Sequence, residues 1–316
     1  MTKSKVGVVI PCYIGGDVTI QMVSQVIKYA DLVVVVDDCC PLNTGNKLLK
    51  KNISPKVNVI HNKQNMGVGG ATKRGFEWLL DHDCEIIIKI DADNQMKPEE
   101  IPKMIEPILN KECEATKGNR FTNPGNLLEM PKIRLIGNTL LSYMTKFSTG
   151  YWEIFDPTNG FIAFKSEVLR NIDLRKTDDK YFFETDILFR CGLKNIKIKN
   201  IEVDISYKDI YSSLNPIKEL PRFLVKNLKL TIKRIIYQYY LLDFNAGSIE
   251  LILSFLSALL SGGIALYSLY QSYFANVYAS AGTVGLFTIF TIISLQLFLS
   301  FIYYDCSTKV LFRAIK

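Results

Sequence analysis

Histidine is nearly absent: the 316 residues contain only His61 and His82. The seven cysteines, Cys12, Cys39, Cys40, Cys84, Cys113, Cys191 and Cys306, are odd in number and form no Cys-x-x-Cys pair. A zinc centre needs His or Cys ligands clustered at short spacings, so zinc is poorly supported and reduced thiols are the simple expectation. No glycine run leads into Gly-Lys-Ser or Gly-Lys-Thr, which excludes a P-loop. Met1–Lys5 is polar and the apolar run Val6–Ile10 is too short for a signal-peptide core, so no signal peptide is expected. The largest absence is of charge. From Leu251 to Tyr304, 54 residues, there is no Asp, Glu, Lys, Arg or His. That length suits two membrane spans of about 20 residues and a short turn. Lys226, Lys229, Lys233 and Arg234 precede this region, and Lys309, Arg313 and Lys316 follow it. The positive-inside rule then places both termini in the cytoplasm. Much of the net charge of +7 sits in these flanks, so it reads as a membrane-surface signal, and no nucleic-acid partner is expected.

The first hundred residues alternate between short apolar runs and amphipathic stretches. Val6–Ile10, Leu32–Val36, Val57–Ile60 and Glu85–Ile90 read as strands; Asp17–Tyr29, Thr44–Lys51, Gly67–Leu80 and Pro98–Leu109 read as helices. This alternation predicts a parallel, wound α/β sheet. Beyond it the pattern loosens, with helices over Pro131–Phe147 and Tyr181–Cys191, the latter ended by Gly192, and strands over Phe161–Phe164 and Ile196–Ile205. Ile217–Leu242 is basic and amphipathic, with Leu220, Phe223, Leu224, Leu228, Ile232 and Ile235 spaced for one face. It is expected to lie on a membrane surface.

Ile86-Ile87-Ile88-Lys89-Ile90 runs straight into Asp91-Ala92-Asp93-Asn94-Gln95. Ligand sites of open α/β sheets lie at the carboxyl ends of strands, where an Asp-x-Asp can hold a hard divalent cation bridging a diphosphate. A solvated turn explains these residues equally well when they are taken alone. A second acidic pair, Asp37-Asp38, ends another strand and reaches the same rim, and converging carboxylates need cations or donors to balance them. Asn65-Met66-Gly67-Val68-Gly69-Gly70 opens a helix without dinucleotide spacing. It predicts a loop needing positive φ or close approach to a ligand.

Seven stretches occur in a familiar order: Val8-Val9-Ile10-Pro11-Cys12-Tyr13, Val35-Val36-Asp37-Asp38-Cys39, Asn65–Ala71, Asp91–Gln95, Lys117-Gly118-Asn119-Arg120, Asp156-Pro157-Thr158-Asn159-Gly160-Phe161 and Phe183-Glu184-Thr185-Asp186. With them, residues 6 to about 210 resemble a family-two glycosyltransferase of the GT-A fold, of the dolichyl- or polyprenyl-phosphate sugar synthase type. The resemblance implies a nucleotide-sugar-binding, Rossmann-like α/β domain at 1–215, a juxtamembrane helix at 216–246, two spans within 247–306 (about 249–271 and 283–304) and a cytoplasmic tail at 307–316.

The roles that follow are those the resemblance implies. Pro11, Tyr13, Asp37, Asp38, Gly67, Asp91 and Gln95 would bind a UDP- or GDP-sugar. Asp91, Asp93 and Gln95 would surround Mg²⁺ or Mn²⁺, with Asp93 the direct ligand. Arg120, Arg134, Asn138 and Lys208 would bind the phosphate of a polyprenyl acceptor, since arginine pairs well with phosphate oxygens. Asp156 and Asp186 would orient the acceptor or sugar hydroxyls, Asp186 standing where a base would stand if the acceptor were a hydroxyl. The implied reaction is inverting transfer of one sugar to polyprenyl phosphate for surface glycan assembly. Transfer to a hydroxyl of a lipid-linked oligosaccharide, or a non-catalytic membrane scaffold of the same fold, are the alternatives, and a homo-oligomer is compatible with any of them. The Gln-x-x-Arg-Trp signature of processive synthases is absent. The segment Tyr207–Ser213 lacks the Arg expected in the basic motif after the last strand, leaving Lys208 as the substitute.

Overall fold

The computed structural model describes residues 4–93, 95–121, 132–204 and 216–315. They form two units, Met1–Thr231 and Ile232–Ile315.

The first unit is built on a seven-stranded sheet of order β3-β2-β1-β4-β6-β5-β7. Its strands are β1 (Val6–Cys12), β2 (Leu32–Asp37), β3 (Val57–His61), β4 (Ile86–Lys89), β5 (Ala115–Asn119), β6 (Ile162–Lys165) and β7 (Ile198–Glu202). β1, β2 and β4 are apolar almost without interruption because both faces are covered. Val8 and Ile10 pack with Ile20, Met22 and Val23 of α1 (Gly16–Val26) on one face. Val9 packs with Phe76 and Leu79 of α3 (Gly67–Asp81) on the other. The helix α2 (Thr44–Lys51) joins β2 to β3, and α4 (Ile101–Leu109), entered through a tight turn at Pro98–Glu100, leads to β5.

The sheet is mixed, where the alternation predicted a parallel one. β6 pairs antiparallel with both β4 and β5. The difference has a topological cause that also builds the site. After β5 the chain passes through α5 (Lys132–Thr149) and comes back to the sheet at the rim where β4 ends, Ile162 lying opposite Lys89. A strand that starts at that rim can only run away from it. Residues 156–161 are therefore delivered to the carboxyl ends of β1, β2, β4 and β5, the side that carries every acidic motif. β5 was concealed by its polar end, Lys117-Gly118-Asn119, although all five of its residues are buried.

The helix α6 (Ser166–Asn171) follows β6, and α7 (Phe183–Leu193) runs through Gly192 instead of stopping there, turning at Asn195 with φ 52°. Next comes α8 (Pro216–Ile236). Its expected single apolar face is divided. Phe223 is buried edge-on to Phe182, and Asn227 is buried and hydrogen-bonded to Ser148, 2.7 Å. Val225, Leu228, Ile232 and Ile236 stay exposed as a stripe at helical spacing.

The second unit holds a wide helical turn at Tyr237–Leu241 and two long helices, α9 (Ala246–Phe274) and α10 (Ala281–Ile315). Ala246–Phe274 and Ala281–Thr308 are both long and apolar enough to cross a bilayer. They meet through small polar groups. Ser254 and Ser294 each donate to the other's carbonyl at 2.9 Å, and Ser261 pairs with Thr291 at 2.6 Å. In an apolar medium such exchanges substitute for a hydrophobic drive between helices. At one end of the pair Arg234 donates twice to Asp305, both at 2.8 Å, with Tyr239 donating to the same carboxylate. Arg234 and Asp305 are both buried.

Candidate functional site

Parallel register brings Cys12, Asp37 and His61 level at the rim, and β4 finishes beside them. The two acidic pairs sit on this edge in different states.

Asp37 and Asp38 are buried and occupied. Asp37 accepts the backbone N–H of Cys40 (2.7 Å) and of Gly45 (2.8 Å). Asp38 accepts Asn62 Nδ2 (2.6 Å) and the N–H groups of Met66 and Gly67 (both 2.8 Å). Gly67 has φ 84°, as the glycine run suggests, and a Cβ there would lie 2.6 Å from the Asp179 carbonyl oxygen. The close approach of this loop is thus to the chain's own segment 178–179, and Gly70 N–H donates to Asp179 O at 2.9 Å. Of the other residues assigned to a donor, Pro11 is buried within β1, Tyr13 is exposed at its end, and Gln95 is half-buried.

Asp91 and Asp93 follow β4, their loop held by Thr19 of α1 donating to the Ala92 carbonyl at 3.1 Å. Asp91 pairs with Lys89 at 2.5 Å. Asp93 accepts only a local backbone N–H, that of Gln95 at 3.1 Å, among the described residues. Its surface is exposed to solvent, while the protein packed around its carboxyl, followed by repulsion from Asp91, pushes its pKa up to about 6. Behind the pair lies a layer of buried charge. Lys89 is fully buried between Asp91 and Glu184; burial opposes its charge, but the two carboxylates outweigh burial and hold it above the ordinary lysine range. Lys117, whose ammonium meets the Asn159 carbonyl, is pushed down to about 8 by burial, against the pull of Glu184 and Asp156. Arg120 grips Asp156 through Nε (2.6 Å) and Nη2 (2.8 Å).

Three cations, Lys89, Lys117 and Arg120, thus stand against three carboxylates, Asp91, Asp156 and Glu184. Asp93 is the additional negative charge. The described residues contain no group of three His, Cys, Asp or Glu able to enclose a metal. Two carboxylates and the Gln95 amide are nonetheless hard oxygen donors, the partial set that suits an ion completed by water or phosphate oxygens.

The residues assigned to the acceptor fare unevenly. Arg120 is buried and committed to Asp156, so Asp156 is a counter-ion to arginine in this arrangement. Asn138 lies half-buried on α5. The Arg134 side chain and Lys208 lie outside the described residues. Asp186 is buried, accepts the Asp178 N–H at 2.9 Å and faces Arg190 at 3.4 Å, with desolvation raising its pKa. Sequence reasoning overlooked Lys89, Lys117 and Glu184. The signal for Lys89 was present: a lysine inside an apolar strand buried on both faces must have a carboxylate to meet.

Residues 7–173 match the family described as glycosyl transferase family 2. The undecaprenyl-phosphate mannosyltransferase of Micrococcus luteus is 30% identical over 177 residues, covering 55% of this chain and 71% of that protein. The UDP-N-acetylglucosamine–dolichyl-phosphate N-acetylglucosaminyltransferase of Methanococcus voltae is 30% identical over 154 residues, covering 49% and 61%. Among solved structures, glucosyl-3-phosphoglycerate synthase of Mycobacterium tuberculosis, with Mn²⁺, UDP-glucose and glycerol 3-phosphate, superposes with a TM-score of 0.53 at 17% identity, over 73% of this chain and 80% of that one. At that identity the likeness is one of fold.

Proposed function

Since the chain belongs to glycosyl transferase family 2 and is a glycosyltransferase, we propose that it moves one sugar, with inversion, from a nucleotide-sugar donor to a polyprenyl phosphate. The observation that carries this reading is the uncompensated carboxylate Asp93 at the end of β4, in a chain that also has two helices able to span a bilayer. Asp91, Asp93 and Gln95 would hold Mg²⁺ or Mn²⁺, which supplies Lewis-acid stabilisation of the departing nucleoside diphosphate when bound. The loop organised by Asp37 and Asp38 shapes the donor side, with Tyr13 at its edge. The acceptor brings its own negative charge, so it needs orientation and desolvation more than a base. The burial of Asp186 and its engagement with Asp178 and Arg190 support such an acceptor over a sugar hydroxyl. Arg120, Arg134, Asn138 and Lys208 would meet the acceptor phosphate, Arg120 being held by Asp156. The basic α8 would lie at a cytoplasmic membrane surface, with both termini on that side.

Relatives named for mannose and for N-acetylglucosamine leave the sugar to experiment. The test is incubation of the purified full-length protein with Mg²⁺ or Mn²⁺, undecaprenyl phosphate and a panel of labelled UDP- and GDP-sugars. One donor should yield a lipid-linked monosaccharide. No transfer from any donor by correctly folded protein would overturn the proposal. Asp186→Asn separates the acceptors: a hydroxyl acceptor requires loss of turnover with donor binding kept, a phosphate acceptor a milder decrease.

A further inference from the structure

The buried charge beneath Asp91 bears on how a cation and a nucleotide reach this site. Asp91 Oδ1 is bound to Lys89 Nζ at 2.5 Å. Its other oxygen lies against Gly160, where a Cβ would come within 1.8 Å of it. Lys89 has no room to swing away. It is fully buried in β4, its ammonium is tied to Glu184 of α7 at 2.9 Å, and the Gly160 carbonyl stands at 3.5 Å. The side chains that surround this ammonium come from three elements: Asp91 after β4, Glu184 from α7 and Lys117 from β5. Asp91 thus reaches the rim already half-neutralised and fixed in direction, while Asp93 does not.

We infer that Lys89, bracketed by Asp91 and Glu184, and Glu184 behind it are positioning residues for Asp91, so that a divalent cation binds here only weakly until a nucleoside diphosphate supplies the missing oxygens. The inference rests on the metal–diphosphate reading above and adds an order of assembly to it. A bare ion meets two carboxylates of which one is cancelled by an ammonium in direct contact, and it therefore sees little more than a single negative charge. A diphosphate adds charge and oxygen donors together. The bracket thereby makes cation binding conditional on the donor.

The experiment is titration of full-length protein with Mn²⁺, following the free aquo-ion by electron paramagnetic resonance, alone and with UDP or GDP. In the wild type, one nucleotide should tighten Mn²⁺ binding at least tenfold. The variant Lys89→Met/Glu184→Gln removes one buried charge of each sign and so leaves the net charge of the layer unchanged. It should bind bare Mn²⁺ more tightly, by about threefold or more, with a smaller gain from nucleotide, because the nearer charge removed is the cation. Glu184→Gln alone leaves Lys89 wholly on Asp91 and should weaken bare-ion binding by a similar factor. These opposite signs are what a merely structural pair would not produce. Equal bare-ion affinity in all three proteins overturns the bracket. If the double variant does not fold, the sign for Glu184→Gln decides; if neither folds, wild-type Mn²⁺ binding that is as tight without nucleotide as with it overturns the inference. Absence of Mn²⁺ binding under every wild-type condition removes the metal–diphosphate reading itself, an outcome distinct from failure of the bracket.

Discussion

Asp37-Asp38 and Asp91/Asp93 are two acidic pairs on one sheet rim, alike in sequence and opposite in state. The first pair is consumed by its own loops, with four backbone N–H groups and an asparagine amide pointing at it. The second pair has a lysine on one carboxylate and little on the other. A carboxylate saturated by donors fixes backbone shape; one with few donors beside a like charge keeps excess negative charge at the rim. The difference lies in what the chain places opposite each pair, which the residues of the pair do not reveal.

The comparison can be broken most severely at Asp93. Asp93→Asn should lower the transfer rate by about 10²–10³-fold, since it removes a ligand for the charge that develops on the leaving group. Its thermal midpoint should stay the same or rise at neutral pH. A drop in both together would place Asp93 in the same structural class as Asp38. Asp38→Ala tests the other side: it orphans the donors of Asn62, Met66 and Gly67 and should cost about 3 kcal/mol in urea denaturation. Full stability with lost transfer would show Asp38 to be a ligand contact first. Gly67→Ala is gentler on chemistry and should destabilise by about 1–3 kcal/mol, because φ 84° and the Asp179 carbonyl both oppose a side chain there.

The smallest effect concerns pH. The Asp93 pKa is raised in the folded chain, to about 6 against 3.8. The folded state therefore holds this proton more tightly than the unfolded one. Its contribution to stability is complete below about pH 4 and is lost as pH rises through about 6. A divalent cation should offset that loss. Mn²⁺ with UDP or GDP should raise the melting temperature more at pH 7.5 than at pH 5, and this difference should shrink in Asp93→Asn to the part that the nucleotide's own terminal phosphate contributes. An equal shift at both pH values would separate cation binding from Asp93.

Much of this fold was legible. β1 to β4, with α1 to α3, follow from apolar runs ended by Pro, Gly and Asp, and Thr44–Lys51 falls where the sequence places it. β5 was hidden because Lys117 and Asn119 are polar residues buried on account of their partners, and periodicity cannot register partners. The antiparallel turn of β6 was hidden because four apolar residues, Ile162 to Phe164 and their neighbour Phe161, carry no direction. At the site, the motifs marked Asp91, Asp93, Asp156 and Asp186 as a set. They could not indicate that Arg120 closes on Asp156, or that Lys89 meets Glu184 of α7, since these contacts join residues far apart in the chain. The split face of α8 has the same origin: Phe223 finds Phe182, while Val225, Leu228, Ile232 and Ile236 stay exposed.

The Arg234–Asp305 clamp also sets a schedule for biosynthesis. Its two halves are 71 residues apart, with the whole of α9 and most of α10 between them. Removing one partner of a buried pair of this kind typically costs about 3–5 kcal/mol. The cluster of Arg234, Tyr239 and Asp305 therefore cannot close until the chain has been made through Asp305 of α10, and a chain that stalls after the first helix lacks that lock. Quality control would have a simple mark to read: a guanidinium still waiting for its carboxylate at the end of an unfinished hairpin.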